Sequence, residues 1–181
     1  MSRKEKRGRA GKASYFVPAG PGKYVYNGPL YSPVSESNIT AKKASVRRVL
    51  FGAGATALSA ICGFLPVPGL GNTFYVIIPY ALTLIFAAVS LYKAGRIAYW
   101  DGEALREYVY NTTVRRLPWL LPLCALFAGL SAVGEVLYLI LNGADNAELP
   151  FAIIFLLISA AVLVLALIWR RFETAFKWNK R

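Results

Sequence analysis

One carboxyl group stands apart from the other acids of this chain. Glu135 lies inside an apolar run, Leu117 to Leu141, whereas every other Asp and Glu falls in a polar stretch. A charge at the centre of a bilayer costs about 2.5–3.5 kcal/mol on the insertion scale, so an intramembrane acid is a functional candidate by default. The same run holds nine Leu residues, each returning roughly 0.3–0.6 kcal/mol, which is enough to carry one Glu. Glu135 sits about 9 Å from the Leu141 end at 1.5 Å per residue. Counted inward from that side, Ser59, Tyr80 and Ser159 reach a similar depth. The four are expected to form a hydrogen-bonded polar layer, acting as a structural contact or as a proton or cation site.

Other chemistry is poorly supplied. The chain has no His, which excludes a Ser-His-Asp triad, a His base and a His-based metal centre. Cys62 and Cys124 fall in different apolar runs without CxxC spacing, and read as packing thiols. Asp101, Glu103 and Glu107 have basic neighbours and read as a solvated face. No Gly-rich phosphate loop follows a strand pattern. The expectation is a non-enzymatic protein with no catalytic residue, no metal and no cofactor.

The elements that would position Glu135 are visible in the hydropathy. Of 181 residues, 56% are hydrophobic and 17% charged, with a mean hydropathy of +0.45; soluble chains are about 45–50% apolar and about 25% charged. The apolar residues gather in four runs, about 49–65, 74–92, 117–141 and 151–169. A helix needs about 20 apolar residues to cross roughly 30 Å of hydrocarbon. Three runs meet that length and the first is marginal. No period-2 alternation favours strands, and a backbone in lipid must satisfy its own hydrogen bonds. The expected fold is an all-α integral membrane protein of four transmembrane helices, arranged as two helical hairpins. Ser45-Val46-Arg47-Arg48 before the first run resembles Thr113-Val114-Arg115-Arg116 before the third, and Ile85–Val89 resembles Ile158–Val162. A parallel duplication would explain both pairs.

Charge orients the chain. All 21 Lys and Arg residues lie in residues 1–48, 93–116 or 170–181, and none in the connections 66–73 and 142–150. By the positive-inside rule both termini and the central loop are cytoplasmic, N-in and C-in. Trp100, Trp119, Trp169 and Trp178 fall near the inner helix ends, where indoles favour the headgroup region. Residues 1–36 read as an arm, basic at first and then rich in Tyr, Pro and Gly, with a turn suggested at Asn27-Gly28. Residues 37–169 form the transmembrane domain, with Thr40 a candidate cap for a short helix over 41–50 that leads into the first crossing. The loop 93–116 is expected to carry an amphipathic helix with Leu105, Tyr108 and Val109 on one face. Residues 170–181 are a basic tail.

Small residues four apart mark expected helix contacts: Gly52, Thr56 and Ala60, then Gly63 in a second stripe with Ala55 and Ser59, and Ala125 with Gly129. Pro79 and Pro122 interrupt helical ladders, while Pro118 lies in a first turn, where proline costs little. Arg47, Arg48, Arg115, Arg116, Arg170 and Arg171 are expected to meet anionic lipid headgroups, each worth about 1 kcal/mol near the surface. The expected partners are an anionic bilayer and either other proteins or further copies of the chain; lipid is the nearer polyanion than nucleic acid. The reading is a plasma-membrane accessory or scaffold subunit, with a small oligomeric transporter or channel built on Glu135 as the alternative. Two sequons, Asn38-Ile39-Thr40 and Asn111-Thr112-Thr113, then face the cytoplasm. Neither should gain a glycan in a microsomal insertion assay, and a mass shift at either would reverse the orientation.

Overall fold

The computed structural model describes residues 15–34, 41–99, 104–143 and 145–180. In chain order the elements are β1 (Phe16–Gly20), β2 (Lys23–Tyr26), β3 (Leu30–Pro33), α1 (Ala41–Cys62), α2 (Pro68–Asn72), α3 (Phe74–Tyr99), β4 (Leu105–Arg106), α4 (Glu107–Thr112), α5 (Leu117–Asn142), α6 (Leu149–Ala175) and β5 (Trp178–Lys180). The basic residues before Ala13, the sequon at Asn38, Thr40, Trp100, Asp101 and Glu103 lie outside the described residues.

The four long helices make a bundle in which α1 packs on α3, α3 on α5, α5 on α6, and α6 closes back on α1. Arg48 near the start of α1 meets Glu173 near the end of α6, while Cys62 at the end of α1 clusters with Phe155 near the start of α6. Those two helices therefore run antiparallel. Three stretches are long and apolar enough to cross a membrane: Phe74–Tyr99, Glu107–Asn142, whose apolar part is α5, and Leu149–Ala175.

α1 departs from the expected 49–65. The helix expected over 41–50 runs on into the first crossing as one element from Ala41, so its first two turns carry Lys42, Lys43, Arg47 and Arg48, and it stops at Cys62. The apolar part from Val49 onwards is roughly 21 Å long at 1.5 Å per residue, short of a bilayer core. The Gly63 and Phe64 amides donate to the Ala60 and Ile61 carbonyls, tightening the last turn. Pro66 and Pro68 then disfavour helix in the residues before them. The expected loop 66–73 instead folds inward as α2, burying Val67, Pro68, Gly69 and Leu70 between α3 and α5.

The bundle is built inside out relative to a soluble protein. Its interior is lined by small or weakly polar residues, among them Ala55, Ser59, Thr83, Ala87, Ser90, Ala94, Ala125, Ala128, Ser131 and Ala166. Its outer surface carries Leu50, Ile78, Ile85, Leu126, Leu130, Val133, Leu157 and Val164. Exposed apolar area on this scale belongs to a helical membrane protein, whose helices associate through close backbone packing rather than by hiding Leu from water. The buried stripe on α1 is Gly52, Ala55, Ser59 and Cys62, drawing members from both expected stripes. Thr56 and Ala60 are half-buried and Gly63 is exposed. On α5 Ala125 is buried and Gly129 half-buried against Leu163.

An all-α fold is corrected at the basic end of the bundle. β3 is the central strand of a three-stranded antiparallel sheet, with β4 on one side and β5 on the other. Leu30 pairs with Arg106 and Tyr31 with Leu105; Tyr31, Ser32 and Pro33 pair with Lys180, Asn179 and Trp178. The sheet ties the N-terminal segment, the central loop and the tail together at one end. β1 and β2 form a separate hairpin. It turns at Gly20–Lys23, where Gly22 has φ +72°, a region that glycine enters at least cost. Asn27-Gly28, expected as a turn between YVY and PLY, lies between β2 and β3. The amphipathic pattern of the central loop splits into β4 and the short helix α4. Leu105 and Val109 join a core with Ala94, Ile97, Val114, Leu117, Leu121 and Trp169.

The segments compared as a duplication do not occupy equivalent places. Arg48 is buried but Arg116 exposed, and Ala87 is buried but Ala160 exposed.

Gly52 marks the tightest crossing of α1 and α3: a Cβ there would stand 2.9 Å from the Leu91 Cα. Gly52→Val should lower stability by about 1–3 kcal/mol, the usual cost of overpacking a core. Thermal unfolding in mild detergent reads it, with Gly71→Ala, which meets open space, as the neutral control.

Candidate functional site

Two polar centres are built into the bundle, one at each end. At the end away from the basic residues, Glu135 on α5 is fully buried. The Gly69 amide of α2 donates to Glu135 Oε1 at 3.3 Å. The second oxygen, Oε2, has no hydrogen-bond partner and rests against Gly69, where a Cβ would collide with it. A Cβ at 69 would force the carboxyl group to shift from this position. The neighbouring Gly134 serves a related purpose. Pro79 lacks the amide that would bond the Tyr75 carbonyl inside α3. A Cβ on Gly134 would lie 2.7 Å from that carbonyl oxygen, so the absence of a side chain lets α5 close over it.

The expected polar layer divides into separate contacts. The Tyr80 hydroxyl donates to the Ser59 carbonyl at 2.9 Å, stitching α3 to α1, and sits over Gly63. Ser59 Oγ donates within its own helix to the Ala55 carbonyl. Ser159 is buried on α6. No hydrogen bond among the described residues joins Glu135 to Ser59, Tyr80 or Ser159. Glu135 instead fastens α2, a partner that depth counting on the four runs did not offer.

At the basic end, Arg48 and Glu173 form a buried ion pair, Nε to Oε1 at 2.7 Å with each side chain 1% exposed. Trp169 Nε1 donates to the same oxygen at 3.1 Å. The Arg48 guanidinium lies over the Phe176 ring at 4.5 Å from its centroid, with Phe172 at 5.5 Å and Trp178 at 5.8 Å. Cation–π contact and hydrogen bonding together offset part of the cost of desolvating both charges. Arg48 is thus removed from the set expected to meet lipid headgroups; Arg47, Arg115, Arg116, Arg170 and Arg171 are exposed. Trp169 is likewise a core residue rather than a headgroup anchor, whereas Trp119 is exposed at the start of α5. The signal for this centre was present as Trp169 and Glu173 four apart on one helix, but nothing local pointed to Arg48.

Around the sheet, Tyr31 stacks on Tyr110 with centroids 4.0 Å apart. The Tyr26 hydroxyl donates to the Pro29 carbonyl and accepts from the Glu107 amide. The Glu107 carboxylate beside Tyr15 holds that phenol above its ordinary pKa. Glu107 and Arg106 are half-buried rather than forming a solvated face. Cys62 and Cys124 are free and buried, and no group of three metal-ligating side chains occurs among the described residues.

Removing one member of a buried ion pair strands the other, at about 3–5 kcal/mol. Arg48→Met should therefore lower stability by about that amount in a detergent melt. Adding Glu173→Gln, which keeps an acceptor for Trp169, should recover more than half of the loss. Comparison with known proteins returned no match to a protein family, to a curated protein or to a solved structure, and the functional reading rests on this geometry.

Proposed function

We propose that the chain is a non-enzymatic, four-span membrane protein that serves as an accessory or scaffold subunit of a membrane assembly. In this reading α1, completed by the inward fold of α2, is the fourth span. The sheet lies on the cytoplasmic side of the plasma membrane, with both termini. The positive-inside rule supports the orientation, since the basic residues among those described are on the side of the sheet and none falls in the connections 66–73 and 142–150. The observation that carries a scaffold role is the cap itself. Three distant parts of the chain are spent on one sheet held by a buried ion pair, and that sheet presents the β1–β2 hairpin. Tyr24 and Val25 on the hairpin are 69% and 57% exposed, and paired strands with apolar side chains outward suit protein contact.

A second reading, a small oligomeric transporter or channel, is favoured by one observation: the unpaired, buried Oε2 of Glu135. Intramembrane acids commonly mark ion or proton routes.

One set of measurements separates the two. Reporters fused to the N- and C-termini should both register cytoplasmic. The chain purified in mild detergent should bring a protein partner that Tyr24→Ser with Val25→Ser releases. Cysteines placed at Val136 and Ser131 should resist polar thiol reagents. Reporters on opposite sides overturn the topology, while partner-free protein with reagent-accessible cysteines transfers the assignment to transport.

A further inference from the structure

The end of α3 bears Lys93 and Arg96, and the fields of Arg96 and Arg116, both positive, act on Lys93. Lys93 Nζ donates to the Thr112 carbonyl at 2.6 Å, fixing it between α3 and α4. The Arg48–Glu173 ion pair is at a different place. Like charges gathered together repel, and an anion bound among them relieves that repulsion.

Arg96 lines a groove of about 420 Å³ together with Tyr92, Gly95 and Tyr99. Spacing of three, four and seven residues puts all four on one face of α3. Gly95 forms an open floor, since a Cβ there would meet nothing within 4 Å. Tyr92 and Tyr99 stand exposed as walls. The same face continues towards the middle of the bundle in steps of seven through Ile85 and Ile78, both exposed. A cationic head position thus leads into an aromatic-walled slot and then onto an apolar track, matching the order of phosphate, glycerol and acyl chain in a phospholipid. A free phosphate would have no use for the track.

We propose that Arg96, with Lys93 and Arg116, binds the phosphate of one anionic glycerophospholipid, whose upper acyl region lies over Gly95 between Tyr92 and Tyr99. The proposal rests on the membrane reading above, and adds one defined lipid site to the general attraction of the exposed arginines.

The test is native mass spectrometry of the full-length protein in mild detergent, titrated with phosphatidylglycerol or phosphatidylcholine of identical acyl chains. The first phosphatidylglycerol should bind at least about five-fold more tightly than phosphatidylcholine, the scale of one cation near an anionic headgroup. Arg96→Gln should abolish that preference, and Arg96→Lys should keep most of it. Gly95→Leu, whose Cβ would meet nothing within 4 Å and whose side chain occupies the slot, should weaken both lipids. Lys23→Gln, a cation lost from the hairpin, should change nothing. Equal binding of the two lipids, or the same loss from Lys23→Gln as from Arg96→Gln, overturns the site; so does displacement of the lipid by millimolar inorganic phosphate. These failures would occur in a protein that still requires detergent. Failure of the membrane reading would show differently, as a chain that stays monomeric in aqueous buffer.

Discussion

The charge pair between Arg48 and Glu173 is the contact on which the basic end of this molecule depends. It joins the second turn of α1 to the last turns of α6, and so closes the ring of helices between its first and last members. Its setting explains its persistence away from water. The carboxylate takes a second donor from Trp169, and three aromatic rings cover the guanidinium. Two of those rings, Phe176 and Trp178, belong to the segment that becomes β5. Desolvating two charges is costly unless geometry and extra hydrogen bonds compensate, and here the compensation comes from the parts that the pair holds in place.

Elsewhere the bundle relies on contact rather than charge. Where lipid surrounds a protein, Leu and Ile gain little by turning inward, so close approach of backbones becomes the source of cohesion. Gly52 against Leu91, and Gly134 against the Tyr75 carbonyl, are places where one missing methyl group sets the distance between helices. The pairing of Pro79 with Gly134 shows the same economy, since the proline leaves a carbonyl without its helical donor and the glycine shields it. Glu135 and Gly69 repeat the pattern with a side chain in place of a carbonyl.

Much of the helical architecture was legible in the residues, because length and hydropathy act along the chain. The three long apolar helices fall close to their expected positions, and Pro118 falls in a first turn as expected. The start of α1 was legible in the helix expected over 41–50 behind Thr40. Its early stop was not, because that depends on Pro66 and Pro68 together with room for α2 between α3 and α5. The strands escaped notice because each is two to five residues long, and β3, β4 and β5 are sustained by partners more than seventy positions away. Counting from the helix ends grouped Ser59, Tyr80, Glu135 and Ser159 by depth alone. Azimuth and partner lay beyond such a count, which is why Glu135 meets Gly69 rather than the other three. Arg48 gave the same difficulty: its burial is decided by aromatic residues at the far end of the chain.

The order of strands in the cap has a bearing on biosynthesis. β3 emerges early from the ribosome, yet its neighbours are encoded near residue 105 and near residue 179. One edge of the central strand stays bare until β5 has followed α6 out of the ribosome, when all the long helices are already made. Closure of the cap is therefore a late event with the slow kinetics of distant pairing. A chain lacking Trp178–Lys180 would keep every long helix and leave that edge of β3 permanently open.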